Sequence, residues 1–267
     1  MSRHSDRAII VTGAAGAIGF ATCEILVREG ARVLLVDINA PRLAERTAAL
    51  RAQIGEQGGR VEACVADCGE EADVQRYAQA AIDAFGRIDG FFNNAGVEGK
   101  LAPTHEYDVA EFDRLMRVNL RGVFLGLRHV LPAMVRRGSG AVVNMASIGS
   151  ERGLAGACAY NAAKHAVVGL TRTAASEVAQ KGVRVNCVMP GVIETPLLLE
   201  VIEQLFPGNS QKGLEKLGQV ATLNRCGKPE EVGNVVSFLL SDQASYVNGA
   251  KWEIDGGALA TIRNDLN

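Results

Sequence analysis

Two residues suited to proton transfer, Tyr160 and Lys164, stand four positions apart in a segment rich in alanine. The segment favours a helix, and a spacing of four places both side chains on one helical face. Tyrosine is a poor base at neutral pH because its unperturbed pKa is about 10. A lysine charge about 4 to 5 Å away, at an effective dielectric constant of about 20, stabilises the phenolate by about 3 to 4 kcal/mol. We therefore expect Lys164 to lower the phenol pKa, unless the pair lies on an ordinary surface helix.

Two further polar residues stand out, Ser147 and Asn119. Ser147 follows an apolar run thirteen residues before Tyr160, and its hydroxyl can donate to an alkoxide-like substrate oxygen. The alternative is a serine that caps a turn, and Ser150 is a rival for either role. Asn119 lies inside an apolar helical run, where a buried amide must be hydrogen-bonded. That bond can simply satisfy a kinked helix.

A glycine-rich stretch, TGAAGAIG from Thr12 to Gly19, separates an apolar run from a helical segment. Its spacing is G-x-x-x-G-x-G. Bare backbone at Gly13 and Gly19 lets a pyrophosphate approach, and the helix N-terminus offers free N–H groups and a partial positive charge. The stretch can also be only a tight turn between a strand and a helix.

Acidic and amide residues end the next apolar runs. Asp37 stands about 20 residues beyond the glycine stretch, where a carboxylate accepts hydrogen bonds from an adenosine ribose and repels a 2′-phosphate. This favours NAD over NADP, although Asp37 can instead support the turn that Asn39 and Pro41 enter. Asp67 and the NNAG sequence at 93–96 end the third and fourth runs, at the edge where open α/β sheets bind ligands.

Short apolar runs alternate with amphipathic segments along the chain, which predicts a single Rossmann-type, doubly wound α/β domain over 1–267 with its core at about 7–257. Continuous apolar runs indicate strands buried on both faces. The predicted strands cover 7–13, 31–37, 60–67, 88–96, 138–147, 182–191 and 249–257. The predicted helices include 17–29, 40–54, 70–86, 157–180 and 228–242. The irregular segment 192–224 is either a peripheral flap or a lid over an apolar substrate, and its place after a strand end favours the lid.

Composition excludes several classes of function. The chain has 267 residues, 48% of them hydrophobic, and a net charge of −2, which argues against nucleic acid or an anionic membrane as partner. The glycines at 13, 16 and 19 argue against a signal peptide at the N-terminus, and no apolar stretch approaches a membrane span. We therefore expect a soluble, cytoplasmic protein. Its six cysteines are expected to be buried free thiols, and neither they nor the four histidines show metal-ligand spacing.

From about Arg7 to Gly257 the chain resembles the classical short-chain dehydrogenases/reductases. The motifs that carry the resemblance follow in the order of that family: T-G-x-x-x-G-x-G, the strand-end aspartates, N-N-A-G, the serine, Y-x-x-x-K and PGVIETP at 190–196. The resemblance implies hydride transfer between an alcohol and NAD, a homotetramer, and an Asn119 that holds a proton-relaying water. It makes Asn119, Ser147, Tyr160 and Lys164 the catalytic residues. The implied cofactor contacts are Gly13, Ile18, Gly19, Asp37, Asp67, Cys68, Asn94, Ala95, Gly96, Tyr160, Lys164, Pro190, Gly191, Ile193 and Thr195.

Within the family, the chain resembles the cyclic-ketone reductases of the levodione reductase and cyclohexanol dehydrogenase type. Three stretches carry this resemblance: NNAGVEGK, NLRGVFLGL and LLSDQASYVNGA. The residues expected to face the substrate are mainly apolar and small, with one or two carboxylates: Val97, Glu98, Gly99, Glu151, Gly153, Leu154, Cys158, Val192 and Leu197 to Leu199. This set suits a cyclic secondary alcohol or ketone. The rivals are a 3-oxoacyl carrier reductase, a hydroxysteroid dehydrogenase and a non-catalytic NAD-binding regulator.

Overall fold

A parallel sheet organises the computed structural model, which describes residues 2–55 and 61–260. The strands are β1 (Ala8–Thr12), β2 (Arg32–Asp37), β3 (Val61–Val65), β4 (Gly90–Asn93), β5 (Gly140–Met145), β6 (Val183–Pro190) and β7 (Lys251–Ile254). Their order in the sheet is β3-β2-β1-β4-β5-β6-β7, and every neighbouring pair is parallel. This confirms the predicted doubly wound fold.

Helices cover both faces of the sheet. They are α1 (Ala17–Arg28), α2 (Ala40–Ile54), α3 (Glu71–Phe85), α4 (Val109–Met116), α5 (Gly122–Arg137), α6 (Cys158–Val178), α7 (Pro196–Leu205), α8 (Ser210–Gly218) and α9 (Pro229–Leu240). One apolar core lies between the sheet and α3, α5 and α6, and a second lies between the opposite face and α1, α2 and α9. The segment predicted as irregular and partly helical contains α7 and α8.

The strand order reverses between β1 and β4, which opens a crevice beyond their carboxyl ends. Side chains lock the two strand ends together there. The Thr12 hydroxyl accepts hydrogen bonds from the backbone N–H groups of Asn94 (3.0 Å) and Ala95 (3.1 Å). The Asn94 amide donates to the Thr12 carbonyl at 2.8 Å. The glycine stretch and the NNAG sequence therefore form one rigid rim.

Strand burial departs from the prediction at the two edges of the sheet. β1, β4 and β5 are buried along their whole length, but in β3 only Val61 is buried, the other four residues being half-buried or exposed, and β7 is only half-buried. The expectation of burial on both faces is wrong for these two strands because each has a single neighbour. Residue 60, the first of the predicted third strand, lies outside the described residues.

The six cysteines are all free thiols, four of them buried, while Cys64 and Cys158 are partly exposed. The described part of the chain holds no cluster of His, Cys, Asp and Glu side chains that suits a metal ion. Among residues 2–55 and 61–260, no helix has the length and apolar character that crossing a membrane requires.

His4 is fully buried, with its Nε2 3.1 Å from both the carbonyl and the hydroxyl oxygen of Ser237. Burial lowers its pKa to about 4, with a further contribution from the Arg7 charge. Because the unfolded histidine titrates near pH 6.5, its contribution to stability is complete above that pH and is lost progressively toward pH 4.

The pH dependence of stability tests this burial of His4. Between pH 7 and pH 5 we expect the free energy of unfolding of the wild-type protein to fall by about 2 kcal/mol more than that of the His4→Gln variant. Urea denaturation at both pH values measures it, and equal pH dependence in the two proteins would contradict it.

Candidate active site

Tyr160 and Lys164 lie one turn apart on α6, and both side chains point to the end of β5. The Lys164 ammonium is buried and donates to the Met145 carbonyl at 2.9 Å. Its Nζ lies 5.6 Å from the centre of the Tyr160 ring. The structure thus holds the two groups as neighbours inside the protein, and excludes the alternative of two exposed residues on a surface helix.

Ser147, and not Ser150, lies at the tyrosine hydroxyl. Ser147 hydrogen-bonds Tyr160, and its hydroxyl also accepts from the Gly149 N–H at 3.1 Å. Ser150 is buried and donates to the Lys164 carbonyl at 2.8 Å, so its hydroxyl serves the packing of α6. Ser147 therefore caps a turn, as the alternative required, and its hydroxyl also lies at the phenol, as the predicted catalytic role requires.

Asn119 lies in a π-helical segment, Arg117–Arg121, that joins α4 to α5. Its buried amide pairs twice with the backbone of Val97, accepting from the N–H and donating to the carbonyl, each at 2.8 Å. A Cβ on Gly96 would come within 3.1 Å of the Asn119 oxygen and 3.6 Å of the Lys164 nitrogen. Asn119 thereby fixes the backbone of the loop that follows β4, and π segments of this kind are frequent at functional sites.

The electrostatics of the pair correct one expectation. Burial raises the pKa of the Tyr160 phenol, the charge of Glu98 raises it further, and the hydrogen bond from Ser147 opposes them. Burial also lowers the pKa of Lys164 to about 8, against the attraction of Glu98. The expectation of a lowered phenol pKa is wrong, because burial and the charge of Glu98 raise it and the hydrogen bond from Ser147 does not offset them. The half-buried phenol therefore keeps its proton at neutral pH.

The glycine stretch forms a cradle against β4. Gly13 has φ +63°, and a Cβ there would lie 2.8 Å from the Asn94 amide nitrogen. A Cβ on Gly19 would lie only 2.2 Å from the Gly13 carbonyl oxygen. No side chain caps α1, so the N–H groups of its first turn, which includes Ile18, stay available to an anion. These residues fit a dinucleotide pyrophosphate.

Asp37 connects the end of β2 to this cradle. Its carboxylate accepts from the Ala15 N–H at 3.0 Å and from the Asn39 N–H at 2.9 Å. Asn39, and not Asp37, is the N-cap of α2. Asp37 therefore supports the turn, as the alternative required, while its charge lies beside the glycine stretch, as the ribose role requires.

The predicted adenine contacts, Asp67 and Cys68, differ in what they can offer. The Asp67 carboxylate forms an ion pair with Arg117 at 2.9 Å and accepts from the Gly69 N–H at 2.8 Å. The Cys68 thiol is buried, and burial raises its pKa to about 12. Any contact of Cys68 with an adenine therefore falls to its backbone.

The end of β6 continues the rim with the predicted nicotinamide contacts. Pro190 is the last residue of β6, and a Cβ on Gly191 would come 2.9 Å from the Asp255 Cα. Ile193 is buried, and Thr195 caps α7 by accepting from the Leu198 N–H at 3.1 Å. The end of β6 and the start of α7 therefore lie at the same edge of the parallel sheet as the glycine stretch.

The predicted substrate-facing residues divide into two groups. Glu98 hydrogen-bonds the Tyr160 hydroxyl, whereas Glu151 forms an ion pair with Lys251 on β7 at 2.7 Å. Val97, Gly99, Cys158, Val192, Leu197 and Leu198 are half-buried, while Gly153, Leu154 and Leu199 are exposed. One carboxylate, and not two, is therefore engaged with the tyrosine.

The sequence analysis missed three residues around the loop that follows β4 and carries Glu98. They are Tyr107, Arg114 and Gln204. Arg114 donates to the Glu98 carbonyl at 3.0 Å. Gln204 accepts from the Leu101 N–H at 2.9 Å and so ties α7 to the loop after β4. The contact between Gln204 and Leu101 spans 103 positions along the chain, and no spacing pattern could have indicated it.

Comparison with known proteins agrees with this geometry. The family model described as "Enoyl-(Acyl carrier protein) reductase" matches residues 13–258. Levodione reductase of Leifsonia aquatica is 46% identical over 97% of this chain and 96% of its own. Cyclohexanol dehydrogenase of Acinetobacter sp. (strain SE19) is 36% identical over 96% of each chain.

Solved structures give the same result. A crystal structure of levodione reductase matches with a TM-score of 0.94 and 46% identity, over 97% of this chain and 100% of that one. NAD⁺-bound xylitol dehydrogenase matches with a TM-score of 0.90 and 30% identity, over 96% and 100%. The chain belongs to the short-chain dehydrogenase/reductase family. It is an NAD-dependent oxidoreductase of the alcohol dehydrogenase and ketone reductase class, as the motifs predicted.

Proposed function

We propose that this enzyme interconverts a small or medium-sized cyclic secondary alcohol and its ketone. The observation that carries the proposal is the meeting of Ser147, Tyr160 and Lys164 at the same sheet edge as the glycine cradle. Two relatives have names that contain a six-membered ring, cyclohexanol and a dichlorocyclohexadiene diol. The half-buried, mainly apolar residues beside Tyr160 suit such a ring.

NAD supplies the hydride acceptor or, when reduced, the hydride donor. In this proposal Gly13, Ile18 and Gly19 hold its pyrophosphate and Asp37 its adenosine ribose. Asp67 and Cys68 flank the adenine, and the 94–96 backbone forms the floor. The remaining contacts, to the nicotinamide half, come from Lys164, Pro190, Gly191, Ile193 and Thr195.

The proton chemistry belongs to this chain's own residues. In ketone reduction, the neutral phenol of Tyr160 donates its proton to the carbonyl oxygen, and Ser147 donates a hydrogen bond to the same atom. The raised phenol pKa suits this direction, because the group must arrive protonated. The Lys164 ammonium has three N–H donors, of which one donates to the Met145 carbonyl. The other two are available to hydrogen-bond the ribose and the phenol oxygen. In alcohol oxidation Tyr160 accepts the proton.

A substrate panel tests the proposal. Purified protein is mixed with NAD or NADP and with cyclic, linear, aromatic and steroid alcohols, and the absorbance of reduced nicotinamide is followed. We expect kcat/KM with NAD to be at least about tenfold higher for the best cyclic alcohol than for linear ones, as one unfilled hydrophobic contact typically costs. Preference for a steroid would favour the hydroxysteroid rival, and turnover confined to acyl-carrier thioesters would favour the carrier reductase.

The enzyme's assembly is part of the same proposal: a cytoplasmic homotetramer. A groove between α4, α5 and α6 is lined by Asp113, Met116, Arg117, Leu120, Arg121, Phe124 and Leu170. Phe124 is 46% exposed there, and an apolar face of this kind suits contact with a second copy. The six free thiols suit a reducing compartment.

We also propose that α7 and α8 act as the lid. Thr195 at the start of α7 is a predicted nicotinamide contact, and Gln204 near its end bonds the loop that carries Glu98. Exposed apolar side chains along this segment, Leu199, Leu205, Val220 and Leu223, provide the apolar surface that a lid needs.

A further inference from the structure

Glu98 hydrogen-bonds the hydroxyl group that the reaction needs, that of Tyr160. The side chain is half-buried and also interacts electrostatically with Lys164 and with Glu200 on α7. The reacting oxygen of a substrate must lie between Ser147 and Tyr160. The carboxylate therefore lies beside the position of that oxygen, where it meets any substrate that binds productively.

The backbone on both sides of Glu98 is held in place. Val97 is paired twice with Asn119, at 2.8 Å each, and the Glu98 carbonyl accepts from Arg114 at 3.0 Å. Gln204 on α7 donates to the Gly99 carbonyl at 3.4 Å. The carboxylate is consequently presented from a loop whose backbone is hydrogen-bonded to three separate elements of the fold.

Substrate binding changes the partners of this carboxylate. The reacting oxygen takes the Tyr160 hydroxyl, so Glu98 loses its donor in a half-buried environment. A buried acceptor without a donor is costly, and a charged one more so. A substrate with a single oxygen leaves this cost in place. A second hydroxyl on the substrate removes it by donating to Glu98.

A second group beside the loop also lacks a partner. The Tyr107 hydroxyl is buried and has no hydrogen-bond partner among residues 2–55 and 61–260. It lies 2.7 Å from where a Cβ on Gly99 would stand, and it interacts electrostatically with Glu98 and Cys158. Because this hydroxyl is inaccessible from the solvent, the group on this side that a substrate hydroxyl meets is the half-buried Glu98 carboxylate.

We propose that Glu98 is a specificity-determining residue that selects ring alcohols carrying a second hydroxyl group, namely ring diols and hydroxyketones. The inference rests on the proposed function and names its substrate class. It assigns Glu98 the second oxygen of the substrate, while Ser147 and Tyr160 keep the reacting one.

The test compares cyclohexanol with the cis and trans isomers of 1,2-, 1,3- and 1,4-cyclohexanediol, using the full-length enzyme and NAD. We expect kcat/KM for the best diol to exceed that for cyclohexanol at least about tenfold, beyond the factor of two for its two hydroxyls. In Glu98→Leu the preference should vanish, because the diol becomes a poorer substrate and cyclohexanol a better one. In Glu98→Gln, which keeps an acceptor oxygen, part of the preference should remain.

Glu200→Gln is the matched control, since it removes a neighbouring negative charge that does not contact Tyr160; the diol preference should persist. NAD affinity by calorimetry shows whether each variant is folded. An unchanged ratio in Glu98→Leu, or a wild-type enzyme that prefers cyclohexanol to every diol, overturns the inference while the proposed function stands. Absence of turnover with every alcohol overturns the proposed function itself.

Discussion

Replacement of Tyr160 by phenylalanine is expected to lower kcat about 10³-fold, within the range that general acid–base groups contribute. The variant loses the one proton-transfer group that contacts both Ser147 and Glu98, and it keeps the ring that packs beside Lys164. Because the phenol hydroxyl is not needed to hold the dinucleotide cradle, NAD affinity should stay within about twofold, or 0.4 kcal/mol. Steady-state formation of reduced nicotinamide and calorimetry of NAD binding measure the two quantities.

Tyr246→Phe provides the matched control for this substitution, because Tyr246 is fully exposed. It should leave both kcat and NAD affinity unchanged. If Tyr160→Phe keeps more than about a tenth of the wild-type kcat, a loss below the general acid–base range, another residue carries the proton and the assignment fails.

The second large effect is expected at Gly19. An alanine there places its Cβ 2.2 Å from the Gly13 carbonyl oxygen and 3.0 Å from the Ala14 Cα, both backbone atoms. The backbone of the glycine stretch must therefore move, and the cradle for the pyrophosphate is distorted. We expect Gly19→Ala to weaken NAD binding at least about 100-fold, equivalent to about 2.7 kcal/mol. Calorimetry measures the affinity, and circular dichroism shows that the sheet and helices remain.

Gly169→Ala is the control, because Gly169 is a helical glycine on α6 with open space around its Cβ position. This substitution should leave NAD affinity unchanged and should stabilise the protein slightly, by about 0.4 to 1 kcal/mol. NAD binding by Gly19→Ala with wild-type affinity would contradict the role of the cradle.

The fold was predictable because its signals are local. Each buried strand is a continuous apolar run, and each run is followed by an amphipathic helix and a glycine or polar residue at the sheet edge. The glycine stretch, Asp37 and the NNAG sequence come to one edge because parallel strands must all end there. The burial of β3 and β7 was not predictable in the same way, because the sequence does not state which strand lacks a second neighbour.

The sequence predicted correctly that Tyr160 and Lys164 are neighbours, but it predicted the wrong direction for the shift of the phenol pKa. The spacing of Tyr160 and Lys164 places them together, but a Coulomb estimate for a hydrated pair cannot foresee that Lys164 is buried and Tyr160 half-buried. Glu98 was predicted to face the substrate, but the estimate cannot foresee its effect on the pKa of Tyr160, which stands 62 positions later in the chain. Its contact depends on the tertiary path of the loop after β4, which Asn119, Arg114 and Gln204 fix from distant elements.

Several alternatives that the residues left open are not exclusive. Ser147 caps a turn and contacts the phenol. Asp37 supports a turn and flanks the glycine cradle. Asn119 lies in a π-helical segment and fixes the loop at Gly96. A buried polar group must be satisfied whatever its function. Structural use therefore does not argue against catalytic use.

The most direct test of the central claim is the absorbance of reduced nicotinamide after purified enzyme is mixed with NAD and a cyclic secondary alcohol. We expect the absorbance to rise with wild-type enzyme, and to rise about a thousandfold more slowly with Tyr160→Phe at equal NAD occupancy. Binding of NAD without any rise, for every cyclic, linear and steroid alcohol supplied, would contradict it.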